Sequence, residues 1–154
     1  MYFLQKPDDF NPKIEAVGCF VEWDQKILLL RRCKKNDSYK GKWGLPSGKM
    51  DPEDKGNTLV AIIRETHEET GHLSNPSEMI YVKTIFVRYE NPRKDFPYHI
   101  YRAQIAIPKI KLSPTEHDDF KWISPQDALQ VPSILMPELD SCIKLVYSNT
   151  LRAV

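Results

Sequence analysis

The 154-residue chain carries 22 basic and 21 acidic side chains, for a net charge of +1, and 41% of its residues are hydrophobic. That length and apolar content predict one domain over residues 1–154, and the balanced charge argues against a dedicated nucleic-acid surface, which needs a basic excess. The opening MYFLQKPDDF has no basic-then-apolar signal pattern, and no apolar run approaches the roughly 18 residues of a membrane span, so the chain is expected to be cytoplasmic with no membrane partner.

Residues 1–13 read as a Pro- and Asp-bearing lead-in with an edge strand at 2–4. Residues 14–23 are rich in β-formers and predict a strand, closed by a tight turn at Asp24-Gln25. Ile27-Leu28-Leu29-Leu30 is an unbroken apolar run, as in a strand buried on both faces. It ends in Arg31-Arg32, where Arg32 is a candidate phosphate contact at the end of the sheet. Residues 33–42 form a basic, polar loop whose lysines (Lys34, Lys35, Lys40, Lys42) serve solubility and weakly attract an anion. Ser74-Asn75-Pro76 is a connection, residues 79–89 a long strand, 91–97 a hairpin loop and 98–107 the returning strand. Phe96 and Tyr98 at the hairpin tip are placed either to stack on a base or to pack locally. A loop at 112–117, a short strand at 118–123 and a helical turn at 124–129 follow. The chain closes with an amphipathic helix over 136–151 whose buried stripe is Leu139, Cys142, Ile143 and Val146. Strands before, between and after two separated helices predict a mixed sheet covered on both faces, an α/β fold. Cys19, Cys33 and Cys142 are odd in number and widely spaced, which suits packing in a reducing compartment rather than a disulfide framework or a zinc site.

The stretch GKMDPEDKGNTLVAIIRETHEETGH, residues 48–72, carries the chemistry. Asn57 or Thr58 caps a helix that Gly71 stops. At about 100° per residue, Leu59, Ile62, Ile63, Thr66 and Thr70 share one stripe, and Glu65, Glu68 and Glu69 fall together on the far side. Ala61 lies in that acidic arc one turn earlier and leaves room for something to approach. Like charges at Glu65 and Glu69 repel by a few tenths of a kcal/mol, which pairing of Arg64 with Glu68 offsets in part and a divalent cation offsets far more. Upstream, Trp43-Gly44-Leu45-Pro46-Ser47-Gly48-Lys49 is a Gly/Pro-punctuated loop able to bring backbone N–H groups at Gly48 and the Lys49 ammonium close to phosphate.

This stretch resembles the box of the Nudix hydrolase superfamily, G-x5-E-x7-R-E-U-x-E-E-x-G-U with U apolar. Gly48, Arg64, Glu65, Glu68, Glu69 and Gly71 fall on its letters, and R-E-x-x-E-E-x-G is intact. The loop is two residues longer than the pattern, Thr66 and His72 replace apolar letters, and Ser47 stands where a second glycine is usual. The first acidic letter therefore falls on Asp54, counted forward from Gly48, with Glu53 the nearest glutamate. The resemblance, extended by Glu116 and Trp122 downstream, implies an α/β/α sandwich around a mixed sheet, the Nudix fold. It implies Mg²⁺ as cofactor, with Mn²⁺ as a possible substitute. Glu68 and Glu69 are then metal ligands, Glu65 holds a metal or orients the water, and Glu53 or Asp54 supplies a loop ligand. Arg64 keeps the carboxylates in place, Lys49 contacts a phosphate, and Glu116 is a further metal ligand or base. The implied partner is a small nucleotide whose diphosphate is linked to another group. A MutT-like conversion of a nucleoside triphosphate to the monophosphate and pyrophosphate comes first. A nucleotide sugar, a dinucleoside polyphosphate, an RNA 5′ end, or a sensing module without turnover are the alternatives, and the chain is expected to be a monomer or homodimer. His67 is expected to pack and His72 to pair with Glu68. No histidine among these and His99 and His117 has zinc-ligand spacing, so none is expected to be a ligand.

Overall fold

The computed structural model describes residues 1–151 and contains one eight-stranded mixed sheet. Its strands are β1 (Tyr2–Phe3), β2 (Ala16–Trp23), β3 (Lys26–Arg32), β4 (Trp43–Gly44), β5 (Ser47–Lys49), β6 (Ile80–Tyr89), β7 (Lys94–Gln104) and β8 (His117–Ile123). The order is β1-β6-β7-β2-β3-β4, with β5 also paired to β2 and β8 to β3. β2 runs parallel to β7, from Ala16↔Tyr98 to Glu22↔Gln104, and the other pairs are antiparallel. Three α-helices complete the fold: α1 (Thr58–Thr70), α2 (Pro125–Ala128) and α3 (Leu139–Tyr147). Among the described residues no helix is long and apolar enough to cross a membrane.

Alternation along β2 and β3 divides the core in two. Phe20, Ile27 and Leu29 face α3, where they meet Leu139, Cys142, Ile143 and Tyr147. Val17, Cys19, Val21, Leu28 and Leu30 face the other way, onto Ala61 and Ile62 of α1. Each fully buried Leu, Ile or Phe contributes ~1.5–3 kcal/mol, so both faces of the central strands are anchored, as the unbroken run Ile27–Leu30 predicts. All three cysteines are free, with Cys19 and Cys142 buried.

Several boundaries differ from the sequence reading. The segment before α1 is not loop throughout: β4 and β5 add short strands, because Trp43 and Ser47–Lys49 find partners on β3 and β2. The hairpin loop is shorter than 91–97. Buried Asp95 receives Arg88 Nε at 2.8 Å and the Asn11 N–H at 2.9 Å, which fixes it within the strand. Pro97 is tolerated there because pairing with β2 begins only at Tyr98. The last helix begins at 139, not 136, since the Met136 N–H is held by the Trp43 carbonyl at 2.8 Å and Glu138 adopts a left-handed φ of 68°.

Candidate active site

α1 begins where the Asn57 side chain accepts the N–H groups of Leu59 and Val60, and it ends at Gly71, whose φ of 78° lets its N–H reach the His67 carbonyl. Between these caps the helix buries Ile62, Thr66 and Thr70 of its apolar stripe completely, but it is rolled toward the acidic side, so that Leu59 and Ile63 at the stripe's other edge stay half-buried. Ala61 is fully buried against β2 and β5, and the turn that follows takes Glu65 and Glu69 inward, to 9% and 5% exposure. The space left by Ala61 is filled by the sheet itself. Glu68 remains exposed, and so does His67, which was expected to pack, because the roll carries both to the solvent side. His72 pairs with Glu78 at 3.2 Å rather than with Glu68.

Strand β5 forms a cradle for the two inward carboxylates. The Ser47 N–H donates to Glu69 Oε2 at 2.9 Å. At Gly48 a β-carbon would lie 2.2 Å from the Glu65 carboxyl carbon, so only glycine admits that carboxylate. Arg64 organises the loop side. It donates to Glu65 Oε1 at 2.9 Å and to Asp54 at 2.9 and 3.3 Å, with Asp51 at 3.3 Å and Glu68 at 3.6 Å. Asp54, 3% exposed, also accepts the Asp51 N–H at 2.8 Å. The acid at the displaced box position is thus committed to Arg64, and Glu53 is exposed away from the cleft. Removing the Asp54 charge takes away the buried half of its pair with Arg64, whose guanidinium is 26% exposed and keeps Glu65 and Asp51, so a cost of ~1–3 kcal/mol is expected. Asp54→Asn is therefore expected to lower the unfolding temperature while leaving Mn²⁺ affinity within a few-fold of wild type. Calorimetric titration checks this, and loss of metal binding in that variant would make Asp54 a ligand.

Electrostatics single out the same carboxylates. Burial pushes Glu65 up to about 7, against the opposing pull of Arg64, with Glu68 and Glu116 adding to the rise. Burial holds Glu69 well above the ordinary carboxylate range although the Ser47 N–H favours its charge. Beside them, donor atoms of Glu69, Glu116 and His117 all lie within 4.8 Å of one another. Burial, reinforced by Arg32, pushes His117 down to about 4, so its ring is neutral at neutral pH.

These groups line one end of a cleft of about 800 Å³. Its lining also includes the cations Arg32, Lys34, Lys49 and Lys94 and the aromatic rings of Tyr39, Tyr89, Phe96 and Tyr98. Tyr39 and Tyr89 meet edge to face at 5.9 Å, and Tyr89 and Phe96 at 5.3 Å. The Lys94 ammonium is held below its ordinary range by burial first and then by the positive charges of Lys49 and Arg32. Arg32 also pairs with Asp37.

Residues 12–144 match the NUDIX domain family. The chain belongs to that family. The Escherichia coli (strain K12) CTP pyrophosphohydrolase is 29% identical over 119 residues, spanning 77% of this chain and 82% of that protein. Among solved Nudix structures, the MutT protein from Methanosarcina mazei Go1 superposes with a TM-score of 0.73 at 25% identity, over 90% of this chain and 96% of that one. The NUDIX domain of Shewanella oneidensis NrtR, complexed with ADP ribose, gives a TM-score of 0.73 at 23% identity, over 94% and 93% of the two chains. The expected Nudix sandwich is the observed fold, and the chain is a Nudix hydrolase.

Within this Nudix site the structure brings together Gly48, Lys49, Arg64, Glu65, Glu69, Glu116 and Arg32, and leaves Glu68 at the edge and Glu53 outside. The structure adds Lys94 and Tyr39 to the cleft lining and places His117, which the sequence reading set aside as a ligand, beside Glu69 and Glu116. No local spacing marks them, since a strand register and a long loop deliver them from elsewhere in the chain.

Proposed function

We propose that this Nudix hydrolase cleaves a free nucleoside triphosphate to the monophosphate and pyrophosphate. The observation that carries the reading is the cleft itself, where buried carboxylates, a cluster of cations and an aromatic wall share one space large enough for a nucleotide. The likeness to a CTP pyrophosphohydrolase supports a triphosphate.

The donors present suit a divalent cation. Two carboxylates are buried with too little positive charge to match them, and an imidazole adjoins them with its Nδ1 sealed from solvent and unpaired. Glu69 and Glu116 would hold the ion, with Glu65 behind them and Glu68 reaching in from the solvent side. Bound there, a divalent ion neutralises phosphate charge and acidifies a water. The protein supplies the rest. Arg64 and the gap at Gly48 fix the Glu65 carboxylate, whose affinity for a proton near neutrality suits a general base. Lys49, Lys94 and Arg32 draw in and orient the phosphate chain. Tyr39, Tyr89 and Phe96 offer the base a surface to pack on.

Hydrolysis in ¹⁸O-water with mass analysis of the products tests this. Monophosphate plus pyrophosphate is expected, with the label in one of them. Orthophosphate released without added pyrophosphatase would show terminal cleavage and overturn the reading. ADP-ribose and a dinucleoside polyphosphate in the same panel reveal whether either is turned over faster than every triphosphate.

A further inference from the structure

We propose that His117 is itself a metal ligand, completing with Glu69 and Glu116 a mixed nitrogen–oxygen donor set that inclines this site toward Mn²⁺ or Co²⁺ over Mg²⁺. The inference rests on the metal-dependent reading above and concerns which atoms hold the ion and which ion they prefer.

Geometry comes first. One donor atom from each of the three residues lies within 4.8 Å of the others. A cation ~2.0–2.2 Å from each ligand spans up to ~4.4 Å between opposite ligands, so the three need only a small inward movement.

Satisfaction of the ring comes second. His117 is 6% exposed and its Nδ1 is buried without a hydrogen-bond partner. Buried polar atoms are rarely left so, and a buried imidazole that has one nitrogen unpaired and one ring nitrogen within 4.8 Å of two carboxylates retains its coordinating capacity. The other three histidines are spoken for or lie elsewhere. His72 pairs with Glu78, His99 lies 2.7 Å from Thr84 and 2.8 Å from Glu15, and His67 faces solvent.

Local backbone comes third. Adjacent residues of a regular strand point to opposite faces, yet Glu116 and His117 converge on one site. The chain achieves this with a turn in which both N–H groups donate to the Ser113 carbonyl at 3.0 Å, while the Glu116 carbonyl is tied to the Cys33 N–H at 2.9 Å. The β3–β8 register then slips between Arg31 and Arg32, so that Arg32 pairs with His117 and Asp118 is bulged out. Bulges of this kind re-aim side chains beside functional sites.

The donor set has a chemical consequence. Mg²⁺ favours all-oxygen surroundings, whereas an imidazole nitrogen raises affinity along the first-row series from Mn²⁺ upward.

Pulsed EPR on untagged, metal-stripped protein loaded with Mn²⁺ tests the proposal without reference to turnover. Wild type is expected to show a ¹⁴N coupling that changes to ¹⁵N on histidine labelling. His117→Gln is expected to lose the coupling and to bind Mn²⁺ at least ~10-fold more weakly, with a smaller change for Mg²⁺. His117→Asn serves if the glutamine variant does not fold, and the wild-type signal stands without either. Mn²⁺ bound by wild type without nitrogen coupling, or coupling that persists in the variant, overturns the inference and leaves the proposed function standing. No Mn²⁺ binding at all would bring down both.

Discussion

Glu69→Gln is expected to reduce turnover by ~10² or more with the fold intact. Glutamine keeps the volume and an oxygen that can accept the Ser47 N–H, so the contact at 2.9 Å survives. What disappears is a negative charge on a residue only 5% exposed, next to Glu116. Charge stabilisation of a phosphoryl transfer at such a site is worth several kcal/mol, and each 1.36 kcal/mol is tenfold in rate. Glu68→Gln makes the internal comparison. Its side chain is 53% exposed and lies 3.6 Å from Arg64, so solvent screens it and a smaller loss is expected. Steady-state kinetics at saturating Mg²⁺ and Mn²⁺, with metal affinity measured alongside, decides the matter. Turnover near wild type in the Glu69→Gln protein would remove that residue from the site.

What was legible in the sequence was local. The α1 caps, the run Ile27–Leu30 and the spacing of Arg64, Glu65 and Glu69 lie within short windows, where helical and strand periods translate directly into shared faces. The roll of α1 was not legible. Leu59, Ile62, Ile63, Thr66 and Thr70 define an apolar stripe, and Ile62, Thr66 and Thr70 are buried, but fully buried Ala61 and the missing side chain at Gly48 also let the sheet approach from the acidic side. Helix packing is decided by how close two backbones can come, and that depends on both partners. Asp54 was the mirror case. Its position on the box letter was readable, yet its commitment to Arg64 follows from a short 3₁₀ turn at Pro52–Asp54 that tucks the carboxylate inward. His117 and Lys94 were hidden for a third reason. One depends on a register slip against β3 and the other on how far the β6–β7 hairpin extends, and neither is encoded within a window of a few residues.

Glu65→Gln is expected to make the metal-free protein more stable than wild type at pH 8 and no more stable near pH 4.5. Burial raises the Glu65 carboxyl from an ordinary 4.5 to about 7, so the folded state holds that proton more tightly than the unfolded chain does. Below 4.5 both states are protonated and nothing is lost. As pH rises from 4.5 through 7 the unfolded chain releases the proton first and stability falls, and above 7 the whole cost of a buried charge is present. A shift of that size corresponds to at most about 3–4 kcal/mol, or roughly 7–14 °C in unfolding temperature for a chain of this length. Glutamine never carries the charge, still accepts from Arg64, and escapes the penalty. His117, held low, has the opposite slope, losing stability as pH falls from 6.5 to about 4, but it titrates in both proteins and cancels from the difference. Glu69, held up by burial and in part by the Glu65 charge, is relieved in the variant and adds to its advantage at high pH. Saturating Mn²⁺ should reverse the order, since a cation held beside Glu65 compensates the buried charge of wild type and finds no such charge in the variant. Turnover of the variant should meanwhile fall by ~10² or more, the loss associated with a missing general base. Thermal unfolding in EDTA across pH 4.5–8 is the measurement. A variant no more stable than wild type at pH 8 would mean that the Glu65 charge is already compensated in the folded protein, and that the carboxylate is not held in readiness for a cation.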